Sequence, residues 1–239
     1  MRWQLRVVMG AVGAAMLLPG AGASASAESL DEEQLRSALL DHMDFPEDWA
    51  RDSEQAEAQR GIGVPAPQEA NCRALFDGGA DTAASTAFAR SFSGPFVRTT
   101  AAAHDGEGAA EAALENYRRT AEACNSFAVV EGEGHGPTEL RVVYNGGGTE
   151  EPSLDDSAAD EVAAVRFERE PESTEAPAVV AEAALVRVGE HTVLVAQVGR
   201  DDAGTGELRP MLDRAVEKLY AVQEGRTPEP PTDLDGTEL

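Results

Sequence analysis

Hydrophobic positions along this chain follow two periods, and the switches between them mark its elements. Leu35, Ala38 and Leu39 recur at helical spacing, and Ser29-Leu30-Asp31-Glu32 ahead of them has the form of a capping box with Ser29 at the N-cap. The helix so predicted ends before Phe45-Pro46, because proline restricts the residue before it. Phe45 and Trp49 are expected to anchor this segment to the core. Residues 51–68 are charged or rich in Gly and Pro, with little periodicity, and read as a loop leading to Cys72.

Period two takes over at Ser85 to Phe92, where Ala87, Ala89 and Ser91 alternate with Phe88, Arg90 and Phe92. Ser93-Gly94-Pro95 breaks the run, and Phe96 to Ala103 completes a predicted hairpin. Ala110, Ala113, Leu114, Tyr117, Ala121 and Cys124 then repeat at spacings of three and four, which puts Cys124 at the C-terminal end of a buried helical stripe. Short strands are predicted at Phe127 to Val130 and Leu140 to Tyr144, separated by the Gly-rich turn Glu131 to Pro137 that carries His135. An acidic loop from Asn145 to Asp160 leads to a strand at Glu161 to Glu168. Ala178 to Val188, Gly189-Glu190 and His191 to Val198 form the strongest hairpin pattern in the chain. Leu208, Met211, Leu212, Ala215, Leu219 and Val222 mark a terminal helix. Beyond Gly225 the Pro-rich acidic tail has too little apolar surface to offset its ordering and is expected to be disordered.

Consecutive strands without crossover helices favour an α+β fold: a twisted antiparallel β-sheet with helices packed on one side. The expected organisation is a signal segment at 1–27, one domain at 28–224 and the tail at 225–239. Arg2 and Arg6, the apolar run Val7 to Leu18, the Pro19-Gly20 break and the small residues Ala21 to Ala27 have the anatomy of a cleavable export signal, with the cut expected after Ala27. The apolar run is too short to span a bilayer, so no stable membrane insertion is expected after cleavage. With no cysteine ahead of Cys72, a lipid-anchored product is not expected either.

Charge narrows the partners. Nineteen basic and 44 acidic side chains give a formal net charge of -25, which excludes nucleic acid and argues against anionic lipid. In an oxidising compartment the only two cysteines, Cys72 and Cys124, are expected to form one disulfide. Closing a loop of about 50 residues would remove denatured-state entropy worth roughly 4 kcal/mol.

Candidate chemistry is sparse. His42, His104, His135 and His191 lack partners at metal-ligand spacing, so no metal is expected. A Ser-His-Asp site is assembled by geometry and stays open as a secreted hydrolase with a dispersed polar site, although no G-x-S-x-G elbow is present. Gly106-Glu107-Gly108 fails the third-glycine position of a dinucleotide fingerprint and puts an acid where phosphate would lie. Asp155, Asp156, Asp160 and Glu161, like Asp233 and Asp235, do not supply a closed calcium loop. No cofactor is expected.

One set of residues, taken in order, points to a family. Leu39-Leu40, Phe45-Pro46-Glu47-Asp48-Trp49, Cys72-Arg73-Ala74-Leu75 and the helix-ending Cys124-Asn125-Ser126-Phe127 resemble the extracellular sensor-type domain of the mycobacterial PknH kinase and of many actinobacterial lipoproteins. The resemblance spans about residues 30–224 and implies an antiparallel sheet with packed helices, a cleft for an extracellular ligand, and no enzymatic chemistry. The chain departs from the family in lacking a kinase domain and a lipobox cysteine, and in having one candidate bridge where the kinase domain has two. The expected function is a secreted, non-enzymatic, sensor-like or ligand-binding domain whose partner is a small molecule or an extracellular protein. Trp49, Phe88, Phe96, Tyr117, Tyr144 and Arg166 are the candidates for its cleft wall. An interaction module using a sheet edge is the third reading.

Overall fold

In the computed structural model, residues 29–78, 83–132, 140–147, 161–169, 178–200 and 208–231 are described. The expected signal segment, His135, most of the acidic loop with Asp155, Asp156 and Asp160, and the tail from 232 lie outside them. The chain order is α1 (Glu32–Ser37), a 3₁₀ turn (His42–Asp44), β1 (Ala50–Asp52), α2 (Glu54–Arg60), α3 (Ala70–Asp77), β2 (Ala83–Ala89), β3 (Phe96–Ala103), α4 (Glu107–Ala123), β4 (Ser126–Glu131), β5 (Leu140–Gly146), β6 (Glu161–Arg169), β7 (Val179–Val188), β8 (His191–Arg200) and α5 (Leu208–Gln223). The eight strands form one antiparallel sheet in the order β1-β2-β3-β8-β7-β6-β5-β4.

The class is α+β, as the alternating pattern predicts, and the expected β7–β8 hairpin sits at the middle of the sheet. Helices pack on one side in the pair α1 and α5: Leu35, Leu212 and Leu219 meet Val186, Val193 and Val195. The other face is covered as well, by α3 and α4, where Leu75, Phe76, Leu114 and Tyr117 meet Leu185, Leu194 and Ala196. The reason is visible in β7 and β8, which are apolar at both parities, as strands buried on two faces are. Cys72 on α3 and Cys124 at the C-cap of α4 form the expected disulfide, with Cα atoms 5.6 Å apart.

Local differences from the expectations have identifiable causes. The N-cap of α1 is Asp31 and not Ser29: its carboxylate accepts from the Gln34 amide, and the Gln34 side chain accepts from the Asp31 amide. A hydrophobic staple selects this frame, since Leu30 at N′ and Leu35 at N4 are both buried in one cluster. The helix ends at Ser37, before Phe45 as expected. β2 ends at Ala89 because Arg90 N–H donates to Pro95 C=O and Gly94 N–H to Ser91 C=O, closing a turn that leaves Phe92 73% exposed. Within 51–68, expected as loop, the structure has the end of β1 and the whole of α2.

Candidate functional site

A groove of about 430 Å³ opens between the segment 61–66 and the edge strand β4, with Ile62, Val64, Pro65, Val129 and Tyr144 in its apolar wall. Its formation begins at α2. Ser53 caps that helix by accepting from the Ala56 amide, and Gly61 ends it in the left-handed region at φ 68°. Glu54, Glu57, Ala58 and Gly61 lie at helical spacings and all face the groove.

Two ion pairs fix α2 to the sheet. Arg60 pairs with Asp52 of β1, both side chains nearly buried, and its guanidinium lies 4.7 Å from the centre of the Phe96 ring. Glu57 meets Arg98 of β3 at 3.1 Å. Burial raises the Glu57 carboxyl above the usual range against the opposing pull of Arg98.

From Gly61 to Glu69 the chain runs along β4 as a strap tied at both ends. At one end Gly132 N–H donates to Gly61 C=O at 2.8 Å, and a Cβ on Gly61 would stand 2.5 Å from the Gly132 Cα, so this crossing requires glycine. At the other end Gln68 N–H donates to Ala128 C=O at 2.9 Å, and Ala128 N–H donates to the Glu69 carboxylate at 3.1 Å. Arg73 holds the Pro67 carbonyl from behind. Between the ties the strap bows away from β4, and the groove is the space beneath it.

The floor is aromatic. Tyr144 stacks on Phe127 at 5.1 Å between ring centres, and Phe127 meets Phe76 and Phe167 edge-on. Burial, with Glu131 adding to it, pushes the Tyr144 hydroxyl well above its ordinary range, so it remains a neutral phenol. Glu131 is paired with Arg169 at 3.0 Å.

Of the residues the sequence put on a cleft wall, Tyr144 alone lines this groove. Phe96 lies behind it under Arg60. Tyr117 is buried on the same face of the sheet, with its hydroxyl donating to the Leu75 carbonyl at 3.3 Å. Trp49 and Phe88 belong to the opposite core, joined through Phe45, whose ring centre is 5.0 Å from Trp49 and 4.5 Å from Phe88. Arg166 on β6 pairs with Glu182 of β7 and with Glu168. Sequence reasoning missed Glu54, Glu57, Ile62 and Val64, because it treated 51–68 as a connection. The signal that could have found them was the pairing of Ser53 with Gly61, start and stop of a short helix.

The described histidines line no part of the groove. His191 is buried, with Nε2 accepting from the Leu30 amide at 3.3 Å and Nδ1 lying 2.9 Å from the Gln223 side-chain nitrogen. His104 Nε2 is 2.9 Å from the Thr192 hydroxyl. Among the described residues no three His, Cys, Asp or Glu side chains gather to hold a metal, and no helix is long and apolar enough to cross a membrane.

No family model and no curated protein matches the sequence. Among solved structures, the fold is similar to the crystal structure of the extracellular domain of PknH from Mycobacterium tuberculosis, with a TM-score of 0.51 and 12% identity over 82% of this chain and 98% of that one. At that identity the likeness is one of fold: this chain shares the α+β architecture of an extracellular domain.

Proposed function

We propose that this chain is a secreted, non-enzymatic, sensor-like domain that binds a small ligand in the groove between the strap and β4. The groove itself carries the reading. Its volume lies within the range of small-molecule sites, its walls mix apolar surface with a few polar groups, and both ends are fixed before any ligand arrives. The shared fold with an extracellular domain and the disulfide support an extracellular setting. His104 and His191 are engaged in holding strands and helices together.

The test is a fragment screen by ¹H–¹⁵N correlation spectroscopy. Binders are expected to move the amides of Val129, Val130 and Tyr144, and Ala66→Trp, which fills the groove from the strap, is expected to abolish those shifts. Binders that perturb only other surfaces would remove the groove from the proposal. For the export half, mass spectrometry of protein recovered from culture medium is expected to find Glu28 as the first residue; an intact Met1 start would refute it.

A further inference from the structure

The strap leaves one gap in the cover of β4, and the gap has a defined hydrogen-bonding pattern. β4 pairs with β5 in unbroken register from Ser126↔Asn145 to Glu131↔Leu140. In an antiparallel ladder alternate residues turn their N–H and C=O to the partner strand and the others turn them away. Ala128 turns away, since both its groups bond to Gln68 and Glu69 of the strap, and Gly132 does the same toward Gly61. Val130 lies midway between them and shares their direction. Its N–H and C=O therefore face the groove, and no hydrogen bond to them is present among the described residues.

A partly buried donor and acceptor side by side on a strand edge match one residue of an extended chain, which offers the complementary pair at the same spacing. The gap admits only one such residue, because the strap occupies the edge on either side. Charge limits the side chain. Among the described residues every charged side chain lining the groove is acidic, and while Glu57 and Glu131 already face Arg98 and Arg169, Glu54 has no ion-pair partner there.

We infer that the groove takes a short, positively charged, amide-bearing ligand, a peptide segment of two or three residues, whose central residue pairs with the Val130 backbone and whose cation faces Glu54. The inference rests on the groove being the binding site. The neighbours of the central residue then lie against the apolar strap, and the phenol of Tyr144 remains neutral beneath them.

The probe is acetyl-Ala-Arg-Ala-amide, followed by ¹H–¹⁵N correlation spectroscopy and calorimetry on the whole protein. Saturable binding with a downfield shift of the Val130 amide is expected. N-methylation of the arginine amide, which removes the donor to the Val130 carbonyl, is expected to weaken binding about tenfold. Glu54→Gln, on an exposed helix position that leaves the fold intact, is expected to weaken it about two- to fivefold, the range of one exposed ion pair, and to lower its salt dependence. Equal binding of the glutamine congener, or insensitivity to N-methylation, would overturn the assignment. Groove binders from the fragment screen without any response to the arginine peptide would overturn the ligand class and leave the site standing; a screen that finds no groove binder would remove both.

Discussion

Lys218, the only lysine of the chain, is 2% exposed. Its ammonium lies 2.6 Å from Asp44 and 2.8 Å from Asp41, and Asp44 takes a second cation, Arg214, at 2.7 Å. The cluster joins α5 to the 3₁₀ turn that follows α1. Burial gives this lysine a structural task that arginine's bulkier, planar head could not take over unchanged. Asp44→Ala leaves a buried ammonium with one partly exposed partner and is expected to cost about 3–5 kcal/mol in chemical denaturation. Replacing the pair together, as Asp44→Leu with Lys218→Met, is expected to recover most of that loss, since an apolar pair avoids the desolvation of both charges. A single substitution within about 1 kcal/mol of wild type would show the cluster to be better hydrated than its burial implies.

At the scale of elements, the chain divides into parts that its pattern makes legible and one part that it does not. β3, β7, β8, α4 and α5 follow their apolar periodicity closely, because each buries a full face or stripe. α2 was missed for the opposite reason: none of its residues is buried, and its order comes from the Ser53 cap, the Gly61 stop and the ion pairs of Glu57 and Arg60 with residues of β3 and β1. Such long-range ion pairs leave no periodic trace in the sequence, so the strap and the groove beneath it are not legible there, and the aromatics Trp49, Phe88, Phe96 and Tyr117 fill two separate cores. Tyr144 is the exception, since it closes the floor of the groove from below. The disulfide was legible because Cys124 follows a clear stripe. It joins α3, where the strap ends, to the C-cap of α4, just ahead of β4. Reduction, or Cys124→Ser, is expected to lower the melting temperature, with a stability loss of about 2–4 kcal/mol. An unchanged melting temperature would mean that packing of Phe76 and Leu114 holds α3 to α4 unaided.

For the whole molecule, α4 is the connection that sets the topology. It leaves β3 and delivers the chain to β4, five strand spacings away, a traverse of about 24 Å. Its 17 residues span about 26 Å, so the helix is long enough to make that traverse. On the opposite face, His191 ties the residue ahead of the α1 cap to α5 through Leu30 and Gln223. Burial depresses its pKa, with His104 adding to the effect and Glu190 opposing it; burial likewise depresses His104, against Asp105. The unfolded chain binds these protons more readily, so stability is fully present above about pH 6.5 and declines as pH falls below it toward the depressed values. Melting temperatures measured from pH 7.5 to 5 are expected to fall, and to fall less steeply for His191→Gln; parallel curves would place the acid sensitivity on other groups. The tied strap has a last consequence. A sheet grows into a fibre by adding strands at an open edge, but β4 already spends the outward bonds of Ala128 and Gly132 on its own chain. Copies that repel one another at a net charge of -25 must also unlatch the strap before they can stack through this edge.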